Sequence, residues 1–356
     1  MTRKRVSIPT PAPEPTPAPS IPRKPTMQDV ANVAGVSLKT VSRVVNNEPN
    51  VESATAARVQ AAIQEMGFRR NEIARSLRPG QTTSTLGLVT EDISNPFYSS
   101  LARGIEEVAR GRGCLVIAGS SEEDALREKE LVNTLLQRSV DGLLVVPAAG
   151  DHTYLNAQRI SEPVVFMDRP PEGIQADMVL LDNRGGAYQA VEHLIARGHS
   201  RIAFVDGHPY VHTGLERMNG YRQALAAANI TYDRSLVVVG CHDPQQAEQA
   251  TLNLLKLPNP PTAIFATNNR LSIGVLKGLT SSGKWLDLAG FDDFELADML
   301  PFEVTVVRYD TIQMGRVAAE MLFARLDGDT SPPQTRIIEV EVVVRGPGRV
   351  GLPSGY

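Results

Sequence analysis

The sequence predicts a small all-α domain joined by a short linker to a larger α/β domain built as two lobes. Three observations predict it. The chain has 356 residues, more than one ordinary domain, and its 42% hydrophobic and 21% charged residues suit a chain that buries cores. Residues 26–66 space their apolar positions as helices do. From Thr85 onward, short apolar runs alternate with helical segments, the pattern of a parallel sheet covered by helices on both faces.

The elements follow in order. Residues 1–25 hold eight of the 25 prolines, in the alternating run PTPAPEPTPAPS, which neither pairs into a sheet nor continues a helix. This basic, proline-rich segment reads as a disordered tail, with Arg3, Lys4, Arg5, Arg23 and Lys24 adding loose attraction to phosphate, and with Met27 as a competing start. Thr26 followed by Asp29 fits an N-cap with an acidic partner three residues on. Val30, Ala31, Ala34, Val36, Val41 and Val44 then mark a buried stripe interrupted by Gly35. A third helical segment, ATAARVQAAIQEMG, closes on Gly67 at the expected C-cap. After NEIARSL (71–77) the dipeptides around Arg78-Pro79-Gly80 stop any helix. Eleven candidate strands follow: LGLVT, CLVIAG, DGLLVVP, PVVFMD, MVLLD, RIAFVDG, SLVVVG, TAIFAT, LDLAGFD, VTVVR and RIIEVEVVVR. They are too many for one small sheet, so two subdomains are expected.

Charge and cysteines narrow the function. Residues 1–80 carry 12 Lys+Arg against 6 Asp+Glu, whereas residues 81–356 carry 24 against 34. A basic front on an acidic body suits a front that meets a polyanion. The two cysteines, Cys114 and Cys241, exclude a disulfide scaffold and a cysteine-rich zinc site. No apolar run approaches the roughly 18 residues of a membrane helix, and prolines interrupt the basic N-terminus before any signal-like apolar stretch. A cytoplasmic, nucleoid-associated protein with no membrane contact is expected.

The front fits a helix-turn-helix. With Met27 as its first residue, the fifth position must be small where two helices cross, and it is Ala31. The ninth must tolerate a left-handed turn, and it is Gly35. The fourth, eighth, tenth, fifteenth and eighteenth should be apolar; they are Val30, Ala34, Val36, Val41 and Val44. With Val41 and Val44 inward, the second helix turns Leu38, Lys39, Ser42 and Arg43 outward, as a recognition helix in the major groove does. Arg43 suits a bidentate contact to guanine, Lys39 a base or phosphate, and Leu38 a thymine methyl. Ser37 and Thr40 suit phosphate contacts or helix capping, and Asn46 completes the candidate DNA-facing set.

The stretches TMQDVANVAGVSLKTVSRVVNN and ARVQAAIQEMGFRRNEIARSL resemble the lactose-repressor (LacI/GalR) family of bacterial transcription regulators. The pattern DVAxxAGVSxxTVSRVVN is among its specific signatures, and the likeness runs from Thr26 to about Arg345. It implies an all-α helix-turn-helix DNA-binding domain plus an α/β two-lobed periplasmic-binding-protein-like effector domain. The implied boundaries are 26–70 for the helix-turn-helix, 71–81 for a hinge helix and linker, 82–345 for the effector and dimerisation domain, and 346–356 for a tail. Lobe 1 is expected at about 82–182 and 310–330, and lobe 2 at about 183–309 and 331–345. In the family the hinge helix forms in the minor groove at the operator centre, where its leucine, here Leu77, wedges between base pairs. Asn71, Ala74 and Arg75 are the implied companions. Seven residues are too few to stay helical alone in water, which makes the segment a natural switch.

The same resemblance places an effector between the lobes, near the carboxyl ends of strands, with three crossovers connecting them. Matched residue by residue, it implies Asp92, Asn95, Phe97 and Tyr98 from DISNPFY, Asp168 from FMDRPP, and Thr213 and Arg217 from TGLERMNGY. It further implies Asn268 from FATNN, Asp292 from GFDDF, Tyr309 from RYD, and His242 where many relatives carry an aromatic. Carboxylates, Arg and Asn pair with neighbouring hydroxyls, and aromatics cover a sugar's apolar face. Three departures stand out. Asn268-Asn269 replaces the usual Asn-Asp. Only KWLDLA separates SSG from GFDDF, about four residues fewer than in relatives, which is expected to clip the strand and displace Asp292. His242 leaves the polarity of the pocket open.

The expected protein is a homodimeric regulator, a repressor as most of the family are, of pseudo-palindromic double-stranded operator DNA, controlled by a sugar or sugar derivative. It is expected to carry no cofactor and no metal, and to catalyse nothing. The alternative is a cytosolic sugar-binding protein without a DNA role. GLTSSGKW nearly spells a phosphate-binding loop, but Trp285 stands where magnesium needs Ser or Thr, and Gly283 reads as a helix C-cap. His208 and His212 have a metal-like spacing but lie around Pro209 with no acidic helix partner.

Overall fold

The computed structural model describes residues 25–46, 48–49, 51–68, 83–156, 158–208 and 210–346. Residues 1–24, the hinge candidates Asn71, Ala74, Arg75 and Leu77, and the tail from 347 lie outside the described residues. The chain divides into two compact units, Met1–Pro79 and Gly80–Tyr356.

Among its described residues the first unit has three helices, α1 (Met27–Ala34), α2 (Leu38–Val45) and α3 (Ser53–Met66). A capping box opens α1: the Asp29 amide donates to Thr26 Oγ1 at 3.3 Å, and the Thr26 amide donates to the Asp29 carboxylate at 2.7 Å. Gly35 ends α1 at φ 65°, the left-handed turn that a Cβ disfavours. Ser37 caps α2, its hydroxyl accepting the Thr40 amide at 3.1 Å. Val30, Ala31, Val41 and Val44 close with Val59 and Ala62 of α3 into one small core.

The second unit holds two six-stranded sheets. In the first, β1 (Thr85–Thr90), β2 (Leu115–Ser120), β3 (Gly142–Val145), β4 (Val164–Asp168) and β5 (Asp177–Leu181) run in the order β2-β1-β3-β4-β5. In the second, β6 (Ile202–Val205), β7 (Val237–Val238), β8 (Ala263–Ala266), β9 (Asp287–Phe291) and β10 (Val304–Arg308) run β7-β6-β8-β9-β10. The two lobes thus repeat one topology. Helices α4 (Pro96–Gly111), α5 (Ala125–Gln137) and α10 (Thr311–Leu326) pack on the first sheet; α6 (Asn183–Ala196), α8 (Pro244–Leu254) and α9 (Asn269–Ser282) pack on the second, with α7 (His212–Ala227) against α6. The central strands are buried on both faces, which explains their unbroken apolar runs.

The last apolar run, RIIEVEVVVR, is not one strand. It divides into β11 (Thr335–Ile338), parallel to β5, and β12 (Glu341–Arg345), antiparallel to β10. Residues 335–338 therefore belong to the first lobe, which corrects the assignment of 331–345 to the second. The reason is geometric. Both sheets aim the carboxyl ends of their parallel strands at the gap between them, so a chain passing straight across leaves one sheet parallel and enters the next antiparallel. The shortened segment before Asp292 does not clip its strand either. Residues 287–290 of β9 pair with β8 and residues 289–291 with β10, and the turn from Gly283 precedes the strand, with Trp285 48% exposed against Phe302.

Two helices approach with no room for side chains. A Cβ on Gly104 of α4 would stand 2.0 Å from the Ile312 carbonyl oxygen, and one on Gly315 of α10 would stand 2.2 Å from that of Leu101. This contact sits beside two of the crossovers and continues into the apolar cluster that runs through both lobes.

Candidate functional site

Two sites emerge, one in each unit. On α2, Val41 and Val44 are buried while Leu38 is 46% exposed; Ser37 and Lys39 are exposed, and Thr40, Ser42, Arg43 and Asn46 are half-buried. Ser37 and Thr40 serve each other, their hydroxyls 2.9 Å apart at the helix start. Arg43 Nε lies 3.9 Å from the Glu48 carboxylate, and Asn46 Nδ2 donates to Ser42 Oγ and Glu48 Oε1, each at 3.3 Å. Such an exposed ion pair is worth under about 1 kcal/mol, so it holds the Arg43 side chain only loosely.

The second site is the cleft between the lobes of the larger unit. Of the eleven residues expected there, ten line one cavity: Asn95, Phe97, Tyr98 and Asp168 from the first lobe, Thr213, Arg217, His242, Asn268 and Asp292 from the second, and Tyr309 where β10 crosses over. Asp92 does not line it. Its carboxylate bridges the lobes to Arg270 at 2.9 Å, which together with two bonds from Ser94 outweighs partial burial and keeps its carboxyl below the usual range.

The cleft is built from strand ends. Asp168 ends β4 at φ 68° and Asp292 follows β9 at φ 70°, so the fourth strand of each lobe delivers an aspartate in the left-handed region. Aspartate tolerates that region better than most residues, at a cost near 1 kcal/mol that sites commonly retain. Beside Asp168, the 5%-exposed Arg169 donates to Asp168 at 3.3 Å, Glu123 at 2.5 Å, Glu91 at 3.0 Å and the Tyr98 oxygen at 3.1 Å. Burial pushes the Glu123 carboxyl up to about 7 against the pull of Arg169, and it pushes Asp168 up as well.

In the other lobe Arg217 donates to Asn183 Oδ1 at 2.9 Å and to the Thr267 carbonyl, and its guanidinium sits 3.8 Å from the Phe291 ring centre. Its nearest carboxylate oxygen, on Asp292, is 4.0 Å away. Tyr309 donates its hydroxyl to Asp292 at 2.5 Å, and the Asn269 amide donates to the other Asp292 oxygen at 3.3 Å. Thr267 donates to Asp206 at 2.5 Å, whose carboxyl burial nonetheless raises. Asn268 caps α9 through the Leu271 amide, while Asn269 Nδ2 crosses the cleft to Asn95 Oδ1 at 3.0 Å. His242 Nδ1 stands 3.3 Å from His208 Nε2, and burial and this neighbour push the His208 ring down, so it is largely neutral near pH 7. The cavity measures about 90 Å³, below the roughly 300 Å³ at the low end for ligand pockets.

Sequence reasoning missed Glu91, Glu123, Arg169, Asp206, His208 and Arg270, which also line the cavity. Glu91, Arg169 and Asp206 each directly follow a strand, a local position that could have flagged them. The GLTSSG stretch lies within α9 and ends on Gly283 at φ 67°, a helix C-cap and no phosphate loop.

A helix-turn-helix unit and a two-lobed cleft module in one chain define the class of ligand-responsive DNA-binding regulators. Residues 26–71 match the model of bacterial regulatory proteins of the lacI family, and residues 191–346 match that of the periplasmic binding protein-like domain. The chain is 34% identical over 315 residues to catabolite control protein A of Priestia megaterium, spanning 86% of this chain and 93% of that one. It is 32% identical over 330 residues to the ribose operon repressor of Escherichia coli K12, spanning 90% and 99%. The crystal structure of the lac repressor dimer bound to operator and an anti-inducer superposes with a TM-score of 0.78 at 25% identity, covering 90% of this chain and 98% of that one. The chain belongs to the lacI family of bacterial regulatory proteins. It is a DNA-binding transcriptional regulator and not an enzyme.

Proposed function

We propose that the protein is a cytoplasmic, nucleoid-associated repressor that grips a pseudo-palindromic operator as a homodimer and changes its grip when a sugar or sugar derivative enters the cleft. One observation carries this reading: the same chain pairs an outward recognition face on α2 with a buried cleft whose polar walls come from two separate lobes. Carboxylates and guanidiniums at the cleft suit vicinal hydroxyls, and Phe97 and Tyr98 suit the apolar face of a ring. The names of relatives favour the same assignment, one being a ribose operon repressor and another a lac repressor dimer bound to operator.

In this reading Lys39 and Arg43 contact bases or phosphates, Ser37, Leu38, Thr40, Ser42 and Asn46 support them, and Asn71, Ala74, Arg75 and Leu77 form the hinge in the minor groove. Ligand-driven movement of the lobes biases the hinge toward or away from order. The test is fluorescence anisotropy on duplexes selected from a random pool, across a salt series. Wild-type protein is expected to prefer a two-fold symmetric site, and Arg43→Ala to lose about 1–3 kcal/mol of that preference. Undiminished preference in an Arg43→Ala, Leu77→Ala variant overturns the proposal.

A further inference from the structure

We infer that Glu91 and Glu123 make the cleft reject anions, so that the effector is an uncharged, hydroxyl-rich sugar and not a sugar phosphate or sugar acid. This rests on the reading of the cleft as a sugar site and narrows it.

The three arginines of the cavity wall are already bonded to the protein's own groups. Arg169 spends Nε on Asp168, Nη1 on Glu123, and Nη2 on Glu91 and Tyr98. Arg217 is turned to Asn183 and the Thr267 carbonyl, beneath Phe291. Arg270 is turned to Asp92.

Helix N-termini are the other natural anion sites, and they too are taken. Asn95 accepts the Phe97 amide of α4 at 3.1 Å, and Asn268 accepts the Leu271 amide of α9 at 2.9 Å. The start of α7 has no side-chain cap, but the Asp206 carboxylate lies against it: a Cβ on Gly214 would stand 2.8 Å from Asp206 Oδ2.

Glu91 and Glu123 tip the balance. With Asp168, Asp206 and Asp292 they set five carboxylates against Arg169 and Arg217 within the cavity wall, Arg270 being held by Asp92. Without the two glutamates the first lobe would present a single Asp–Arg pair of zero net charge. With them it presents acceptors that a hydroxyl donates to and that a phosphate or carboxylate repels.

The test is calorimetry on the full chain with paired ligands: D-ribose, D-glucose and D-galactose, each beside its phosphate ester and its aldonic acid. The expected result is that a neutral member binds, with its ester and its acid at least about tenfold weaker. In a Glu91→Gln, Glu123→Gln variant that difference is expected to shrink at least about threefold. An ester or acid that matches or exceeds its parent in the wild-type protein overturns the inference, whatever the variant does, while leaving the cleft a sugar-derivative site. A panel silent throughout sinks the sugar reading itself and this inference with it.

Discussion

Arg217 is where the cleft's chemistry and the fold's stability meet, so Arg217→Ala offers a quantitative test. The side chain is 7% exposed and holds Asn183, the Thr267 carbonyl and the Phe291 ring together. Truncation leaves a buried carbonyl and a buried amide oxygen without donors, about 1–3 kcal/mol each, and removes a desolvated cation–ring contact of about 2 kcal/mol. Because these effects share one cavity and do not add, the expected loss is about 4 kcal/mol. For a unit of this size that lowers Tm by on the order of 10 °C. The loss also carries a pH signature. Burial raises the carboxyls of Asp168 and Asp206, and Arg217 is one of the groups holding them down. Without it, the folded state binds protons more tightly than the unfolded state does, so the deficit of the variant should shrink on acidification from pH 7 toward 5. Urea denaturation followed by tryptophan fluorescence and circular dichroism at both pH values measures this. A loss below about 1 kcal/mol, or a deficit that grows in acid, refutes the reasoning.

Two further outcomes follow from the body. Gly104→Ala is expected to cost at least about 1–3 kcal/mol, because its methyl would meet the Ile312 carbonyl 2.0 Å away and α4 and α10 can yield only as whole helices; a urea midpoint unchanged from wild type counts against that contact. Glu123 titrates near 7 when folded against an ordinary value of 4.5, so the folded form holds its proton where the unfolded chain has lost it. Its contribution therefore falls as pH rises between about 4.5 and 7, and Glu123→Gln should flatten the decline in urea midpoint across that window.

Most of the fold was legible because its signals are local. The left-handed turn at Gly35, the cap at Thr26 and the apolar stripe of α1 and α2 all lie within reach of neighbouring residues. Asp168 and Asp292 were reached through the family resemblance, in FMDRPP and GFDDF. What was not legible depends on partners distant in sequence. Nothing local in RIIEVEVVVR says that its first half pairs with β5, about 150 residues earlier, and its second half with β10. Glu123 meets its cleft partner Arg169 46 residues further on. Asp92 looked like its neighbours Asn95 and Phe97 but found Arg270, 178 residues away.

The repeated topology explains why the cleft is so nearly symmetric and why it cannot be fully so. Each lobe ends its fourth strand in a left-handed aspartate and sets beside it an arginine and a tyrosine: Asp168 with Arg169 and Tyr98, Asp292 with Arg217 and Tyr309. A free-standing lobe of either kind would expose that set to water, where ion pairs are weak; closing one lobe on the other removes the water and strengthens every bond. The first lobe answers this by saturating Arg169 with carboxylates, whereas the second leaves Arg217 4.0 Å from Asp292, stacked on a ring and bonded to neutral oxygens. Arg217 thus meets its carboxylate only at 4.0 Å, and a hydroxyl that bridges it to Asp292 would tighten the second lobe more than the first. A ligand's grip, on this geometry, begins at Arg217 and Asp292, and it is completed when Asp168 and the Glu91–Glu123 wall close over the hydroxyls on its other side.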